Sequence, residues 1–132
     1  MSKKNKGPAQ TSDFQVVVTN KKARFSYQIL EVIEAGIVLS GNEIKSIRAG
    51  GVSLSEAYVR PSDGEIFLIG AHINEYEHSS LREYNPTRSR KLLLHKREIR
   101  KLTARVEQRG LTMVPLRLYL KRGRAKVEVG LA

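Results

Sequence analysis

The chain contains no cysteine, which excludes disulfides, thiolate metal sites and a cysteine nucleophile. A small domain with neither disulfide nor secretory signal is expected in the cytoplasm. Aromatic residues make up only 6% of the sequence, too few for a surface that stacks successive bases of a single strand. No apolar run approaches 18 residues, so no membrane-spanning helix is expected. The first thirteen residues carry Lys3, Lys4 and Lys6 beside Gly7 and Pro8 and lack an apolar stretch. They read as a loose basic arm over 1–13, followed by one domain over 14–132. No nucleophile elbow, phosphate loop or dinucleotide fingerprint is present.

What the chain does have is positive charge. Lys and Arg number 24 against 13 Asp and Glu, a net charge of +11. The excess is lopsided: residues 1–66 hold 9 basic and 7 acidic side chains, residues 67–132 hold 15 and 6. Residues 88–109 alone carry nine basic residues against Glu98 and Glu107. Such a field concentrates polyanions and speeds their association. Solubility alone is served by mixed signs, and membrane-surface binding needs a broad apolar helix face, so a nucleic-acid partner is expected.

Short β-branched and alternating segments dominate. Phe14–Thr19 reads as a strand, with Asn20 as N-cap of a short turn through Arg24. Tyr27–Ile33 reads as a strand, Ala35-Gly36 as a bend, and Ile37–Leu39 as a further strand. A short helix follows, with Asn42 as cap, Glu43 favourable in its first turn, Ile44 and Ile47 inward, Lys45 and Arg48 outward, and Gly50 at its end. Ser55–Arg60 and Glu65–Gly70 flank Pro61-Ser62-Asp63-Gly64 as a hairpin. His72–His78 is extended, and 79–90 is the longest loop. His95–Arg109 is the strongest helix, with Leu94, Ile99, Leu102 and Val106 in one stripe and Gly110 behind it. Met113–Leu120 alternates, placing Val114, Leu116, Leu118 and Leu120 on one face and Pro115, Arg117 and Tyr119 on the other. After the turn at 121–124, Ala125, Val127, Val129 and Leu131 alternate in a closing strand. Hairpin connections without βαβ alternation predict a mainly β fold. The architecture expected is a small antiparallel, oligonucleotide-binding-like barrel with two or three flanking helices.

The three histidines do not make a metal site. His72 and His78, with Glu75 and Glu77 between them, lie six strand residues apart, about 20 Å, and cannot share an ion. Glu75 and Glu77 share one strand face without a second acid that would make them catalytic. The chain is therefore expected to bind without catalysis and without cofactor. Arg88, Arg90 and Lys91 sit on the loop before Leu92-Leu93-Leu94, where guanidinium forks suit phosphate oxygens. Tyr84 in the same loop, and Phe25 and Tyr27 beside Lys21, Lys22 and Arg24, offer flat faces for stacking; for Tyr27 a core position is equally compatible with the pattern.

Several ordered motifs go further. Asn20-Lys21-Lys22-Ala23-Arg24, the run from Glu34 through Ser40-Gly41-Asn42-Glu43 to Arg48, the run Pro86 to Lys96, Val114-Pro115-Leu116, and Lys126 to Ala132 together resemble the SsrA-binding protein (small protein B, SmpB) family, from about Val17 to Ala132. The resemblance implies an oligonucleotide-binding-like barrel that binds the tRNA-like end of transfer-messenger RNA (tmRNA) and delivers it to stalled ribosomes in bacterial trans-translation. It also implies that Asn20, Glu34, Leu93 and Lys126 contact RNA, with basic neighbours Lys21, Lys22, Arg24, Lys45, Arg48, Arg88, Arg90 and Lys91. Two departures stand out: Asn42 replaces a capping threonine, and Glu83-Tyr84-Asn85-Pro86 lacks a histidine often found there. The family's Gly-Lys-Lys stretch and long basic tail would follow Ala132, beyond the end of this sequence. The partners expected are tmRNA and the ribosome, with the protein itself monomeric and off the membrane. The competing expectations are a generic ribosome-associated barrel or RNA chaperone, and an RNA-processing nuclease.

Overall fold

The computed structural model describes residues 13–76 and 83–132; residues 1–12 of the expected arm over 1–13, and Glu77, His78 and 79–82, lie outside them. The elements run β1 (Phe14–Thr19), α1 (Lys21–Ser26), β2 (Glu31–Ile37), α2 (Gly41–Arg48), β3 (Val52–Ser53), β4 (Tyr58–Ser62), β5 (Glu65–Ile69), β6 (His72–Ile73), β7 (Arg90–Leu93), α3 (Lys96–Arg109), β8 (Met113–Lys121) and β9 (Arg124–Leu131). Six strands close on themselves in the order β9-β2-β7-β5-β4-β8, with β9 pairing again to β8. β1 extends the β8 edge beyond the single β4 pair Val59–Met113, and β3 pairs with β6 as a separate ribbon. All pairings are antiparallel. Closure removes the exposed edges that short strands would otherwise present.

The barrel interior follows the alternation of the strands. Ala125, Val127, Val129 and Leu131 of β9 point inward with Ala35 and Ile37 of β2, Leu92 of β7, Ile66 and Leu68 of β5, Val59 of β4, and Met113, Leu118 and Leu120 of β8. Ile47 of α2 and Ile99 and Leu102 of α3 pack on the same core, so both longer helices bury the stripe that their periodicity marks. Two tight hairpins shape the barrel. Asp63-Gly64 (φ 52° and 77°) and Arg122-Gly123 (φ 53° and 79°) each supply the two positive φ values of a type I′ turn.

Five details differ from the sequence reading. β2 begins at Glu31 rather than Tyr27, because Tyr27 already closes α1. The strand continues through Ala35-Gly36 without a bend, since both residues keep regular pairing with β9. Ser40, not Asn42, caps α2: its hydroxyl accepts from the Glu43 amide while Glu43 accepts from the Ser40 amide, a reciprocal capping box. Residues 90–93 form β7 instead of ending a loop, which puts Arg90 and Leu92 inside and Lys91 and Leu93 outside. Finally, β8 does not keep one face. The pairing shifts from Glu128–Arg117 to Val129–Pro115, leaving Leu116 as an extra residue. Val114 and Leu116 therefore turn outward to pack under Ala23 of α1, while Leu118 and Leu120 turn inward. That bulge is what seats α1 on the barrel wall.

A candidate RNA interface on the barrel wall

Strand register assembles one outward face from β7, β2, β9, β8 and β1. Leu93, Gly36, Lys126, Tyr119 and Val16 are successive cross-strand partners in one row. Glu34, Glu128, Arg117 and Thr19 make the next. Glu34, Leu93 and Lys126, far apart in sequence, thus come together around a hollow of about 390 Å³ whose other walls are Gly36, Leu94, His95 and Glu98. Leu93 is 52% exposed, an unusual position for leucine on a strand. It lies beside Gly36 because a Cβ there would stand 3.2 Å from the Leu93 Cβ; glycine is what lets the leucine lean across its neighbour. A second hollow, of about 460 Å³, runs from Glu34 and Lys126 to Lys121, Arg122 and Arg124 of the β8–β9 turn.

The charges on this face are held by partners. The Tyr119 hydroxyl donates to Glu34 Oε2 at 2.5 Å, and Lys121 Nζ lies 3.5 Å from the same oxygen. The phenol hydrogen bond foremost, then Lys121 and Lys126, hold the Glu34 carboxyl below its ordinary range against a desolvation cost. Glu34 is therefore a carboxylate that accepts and never donates near neutral pH. Glu128 takes Arg24 at 2.9 Å and Arg117 at 3.2 Å, which ties α1 to the same face.

The other expected contacts distribute differently. Lys21 and Lys22 are exposed on α1. Lys45 is exposed with its ammonium 5.4 Å from the Tyr76 ring centre. Arg48 reaches the Gly123 carbonyl, which places it beside the β8–β9 turn. Lys91 faces Glu65 at 4.0 Å. Phe25 is 94% exposed and remains a free flat face.

Three residues expected at the RNA have their polar groups engaged within the protein. Asn20 is 6% exposed. Its amide nitrogen donates to the Leu54 and Pro115 carbonyls, and its oxygen accepts from the Ala23 amide as the α1 N-cap. Arg90 is fully buried and donates to Glu43, to the Ala71, Arg88 and Pro86 carbonyls, and to the Tyr84 hydroxyl. With every donor engaged inside, it has no fork left for a phosphate. Tyr84 is half-buried; its hydroxyl donates to the Ile73 carbonyl at 2.9 Å and lies 3.2 Å from Glu43 Oε2, so its ring is held against the protein. Arg88 is intermediate: it clamps Glu43 from the surface and stays 39% exposed at its side chain.

Sequence reasoning missed the centre of that cluster. Glu43 is 1% exposed and is held by Arg88, the Ser40 amide and Arg90; together they overcome the burial that would raise its pKa and leave it at about 2. A usable signal existed: Arg90 and Leu92 share one face of an alternating run, so an inward arginine requires an inward acid. Arg117 and Tyr119 were placed outward, but nothing local pointed to their acid partners. No group of three or more potential metal ligands occurs among the described residues; His72 and Glu75 are both exposed.

Helix α3 carries the densest charge. Lys101 and Arg105 pair with Glu31 of β2. Lys96, Arg97, Arg100 and Arg109 are exposed and meet no acidic partner among the described residues. No helix among the described residues is long and apolar enough to cross a membrane.

Comparison with known proteins agrees with this architecture. A solved chain from work on tmRNA–SmpB, described as a journey to the center of the bacterial ribosome, superposes with a TM-score of 0.70 at 50% identity, over 86% of this chain and 80% of that one. The SsrA-binding protein of Thermosynechococcus vestitus is 56% identical over 120 residues, 89% of this chain and 78% of the relative. That of Solidesulfovibrio magneticus is 52% identical over 124 residues, 94% and 80% of the respective chains. The family model described as SmpB protein matches residues 17–132. With a barrel, a capped inner cluster and an outward face built as above, the chain belongs to the SmpB family.

Proposed function

We propose that this chain binds the tRNA-like domain of tmRNA and delivers it to stalled ribosomes in trans-translation. Family membership and relatives named SsrA-binding protein support that reading, as does the likeness to a chain from tmRNA–SmpB work. The observation that carries it within this chain is the hollow joining Glu34, Leu93 and Lys126. It offers an acceptor for amino or hydroxyl donors, an exposed apolar surface for an unstacked base, and a cation for phosphate. Those are the three things that readout of a splayed RNA loop requires.

Lys21, Lys22, Arg24, Lys45, Arg48, Arg88 and Lys91 add electrostatic attraction for the RNA backbone. Asn20 and Arg90 act one layer below, as supports. Lys96, Arg97, Arg100 and Arg109 of α3, exposed and without an acidic partner among the described residues, give a second polyanion surface suited to ribosomal RNA. The chain acts in the cytoplasm as a monomer, as a binding protein without a cofactor or a catalytic step.

The test is equilibrium binding to the tRNA-like domain and to ordinary tRNA over a salt series. About four to six neutralised phosphates predict a log–log slope of roughly −3 to −5, with the tRNA-like domain preferred. Equal affinity for both RNAs favours the generic barrel and overturns the proposal. RNA cleavage in magnesium or manganese that survives repurification favours the nuclease.

A further inference from the structure

Glu34 does not hold itself in place. It projects from β2, 39% exposed at its side chain, beside a lysine on each flank that would draw a free carboxylate outward. What fixes it is Tyr119, two strands away on β8 and only 3% exposed. The Tyr119 ring is itself clamped. The Arg117 guanidinium carbon lies 5.0 Å from its centre and 5.4 Å from that of Phe14. The Phe14 and Tyr119 rings are 5.0 Å apart, tilted by 41°. Arg117 is paired on its other side with Glu128, its Nε 3.2 Å from the carboxylate without hydrogen-bond geometry, and Glu128 also holds Arg24. A cation packed against both rings, which also pack against each other, leaves the phenol little freedom. Its hydroxyl meets Oε2 of Glu34, and the Glu34 side chain lines both hollows.

We propose that Tyr119 is a positioning residue for RNA recognition, holding the Glu34 carboxylate at the rim of the hollow, with Arg117 and Phe14 clamping the tyrosine ring. The inference rests on the functional reading above, in which Glu34 accepts donors from RNA. The carboxylate, pre-aimed, meets those donors without first ordering a long, mobile side chain. The ordering is done when the protein folds instead of when RNA binds. Arg24, through Glu128 and Arg117, couples α1 to the same arrangement.

The experiment is a double-mutant cycle on the chain, read as affinity for the isolated tRNA-like domain. Tyr119→Phe removes one hydroxyl and keeps the ring, so the clamp and the fold are retained; thermal unfolding checks this. In the unsubstituted background it lowers affinity about five- to tenfold, the scale of one ordinary hydrogen bond. In a Glu34→Gln background it changes affinity less than twofold, because the carboxylate it would position is gone. Glu34→Asp keeps the charge but withdraws it by one methylene, and binds as weakly as Glu34→Gln. In the RNA-free protein, the Glu34 carboxyl titration followed by NMR moves upward in Tyr119→Phe.

Equal losses from Tyr119→Phe in both backgrounds show that the tyrosine acts elsewhere and overturn the inference, as does Glu34→Asp binding like the unsubstituted chain. In either case a preference for the tRNA-like domain that weakens in Glu34→Gln leaves the functional reading standing. An unsubstituted chain with no such preference overturns that reading, and the inference with it.

Discussion

The guanidinium of Arg90 and the carboxylate of Glu43 meet inside the protein, with Nη2 and Oε2 2.7 Å apart and side-chain exposures of 0% and 1%. This pair welds three distant pieces of chain. Glu43 belongs to α2, Arg90 to β7, and the arginine also gathers carbonyls at Ala71 and Pro86. A buried pair of this kind contributes little over a well-packed apolar pair, but breaking it strands an uncompensated charge. Arg90→Leu is accordingly expected to destabilise the fold by about 3–5 kcal/mol, measured by denaturant unfolding at neutral pH. RNA affinity of the remaining folded fraction should change far less than for Lys126→Glu. A loss of affinity with unchanged stability would place Arg90 back at the RNA.

Acid should act through the same carboxylate. Burial opposed by Arg88, the Ser40 amide and Arg90 leaves Glu43 at about 2 in the folded protein, below the ordinary carboxyl value of 4.5. A depressed folded pKa contributes stability that is fully present above about 4.5 and is lost as pH falls toward 2. Unfolding free energy is thus expected to decline across that window. In Glu43→Gln, already weaker at pH 7, the decline should be shallower. Parallel pH profiles of the two proteins would show that the Glu43 cluster is not the acid-sensitive element.

Leu93 separates binding from folding. Being half exposed, it loses little packing when truncated, so Leu93→Ala is expected to leave stability within about 0.5 kcal/mol. Its affinity for the tRNA-like domain should fall about tenfold or more, the scale of one lost base contact. Lys126→Gln should instead weaken binding to every RNA and reduce the salt slope by about 1. Paired thermal melts and salt titrations distinguish the two.

Gly36 is expected to matter through its neighbour. Gly36→Ala suits a strand backbone, so stability should stay within about 1 kcal/mol. The added methyl would press on Leu93, whose Cβ is 3.2 Å from that position, and tilt it from the hollow. Reduced RNA affinity with an unchanged melting temperature is the expected result. Unchanged affinity would mean that Leu93 reorients without cost.

Asn20 should behave as a structural residue. Asn20→Ala removes the α1 cap and leaves the Leu54 and Pro115 carbonyls without its donor. A loss of about 1–2 kcal/mol is expected, the range for an N-cap, seen in equilibrium unfolding. An RNA defect without that loss would restore Asn20 as a direct contact.

Much of the fold was legible because it rests on local periodicity. The β9 alternation from Ala125 to Leu131, the α3 stripe through Ile99 and Leu102, and the Asn20 cap all appear where the pattern places them. Three of the misreadings share one cause: each depended on a partner remote in sequence. Whether Leu116 faces in or out turns on a register shift against β9. Whether Arg90 meets phosphate or protein turns on an acid 47 residues earlier. Tyr84 looked like a free loop aromatic until Glu43 and Ile73 took its hydroxyl.

The sequence by itself therefore determined the class of the molecule. Its uneven positive charge, its alternating strands and its ordered motifs specify a basic barrel of the SmpB family, since charge and periodicity are properties of the chain. Only the tertiary structure decided which polar residues face outward. A buried arginine must be matched by an acid, a buried amide by carbonyls, and those partners come from elsewhere in the chain. Folding thereby withdraws Asn20 and Arg90 into the interior, and it leaves Glu34, Leu93 and Lys126 together on the wall.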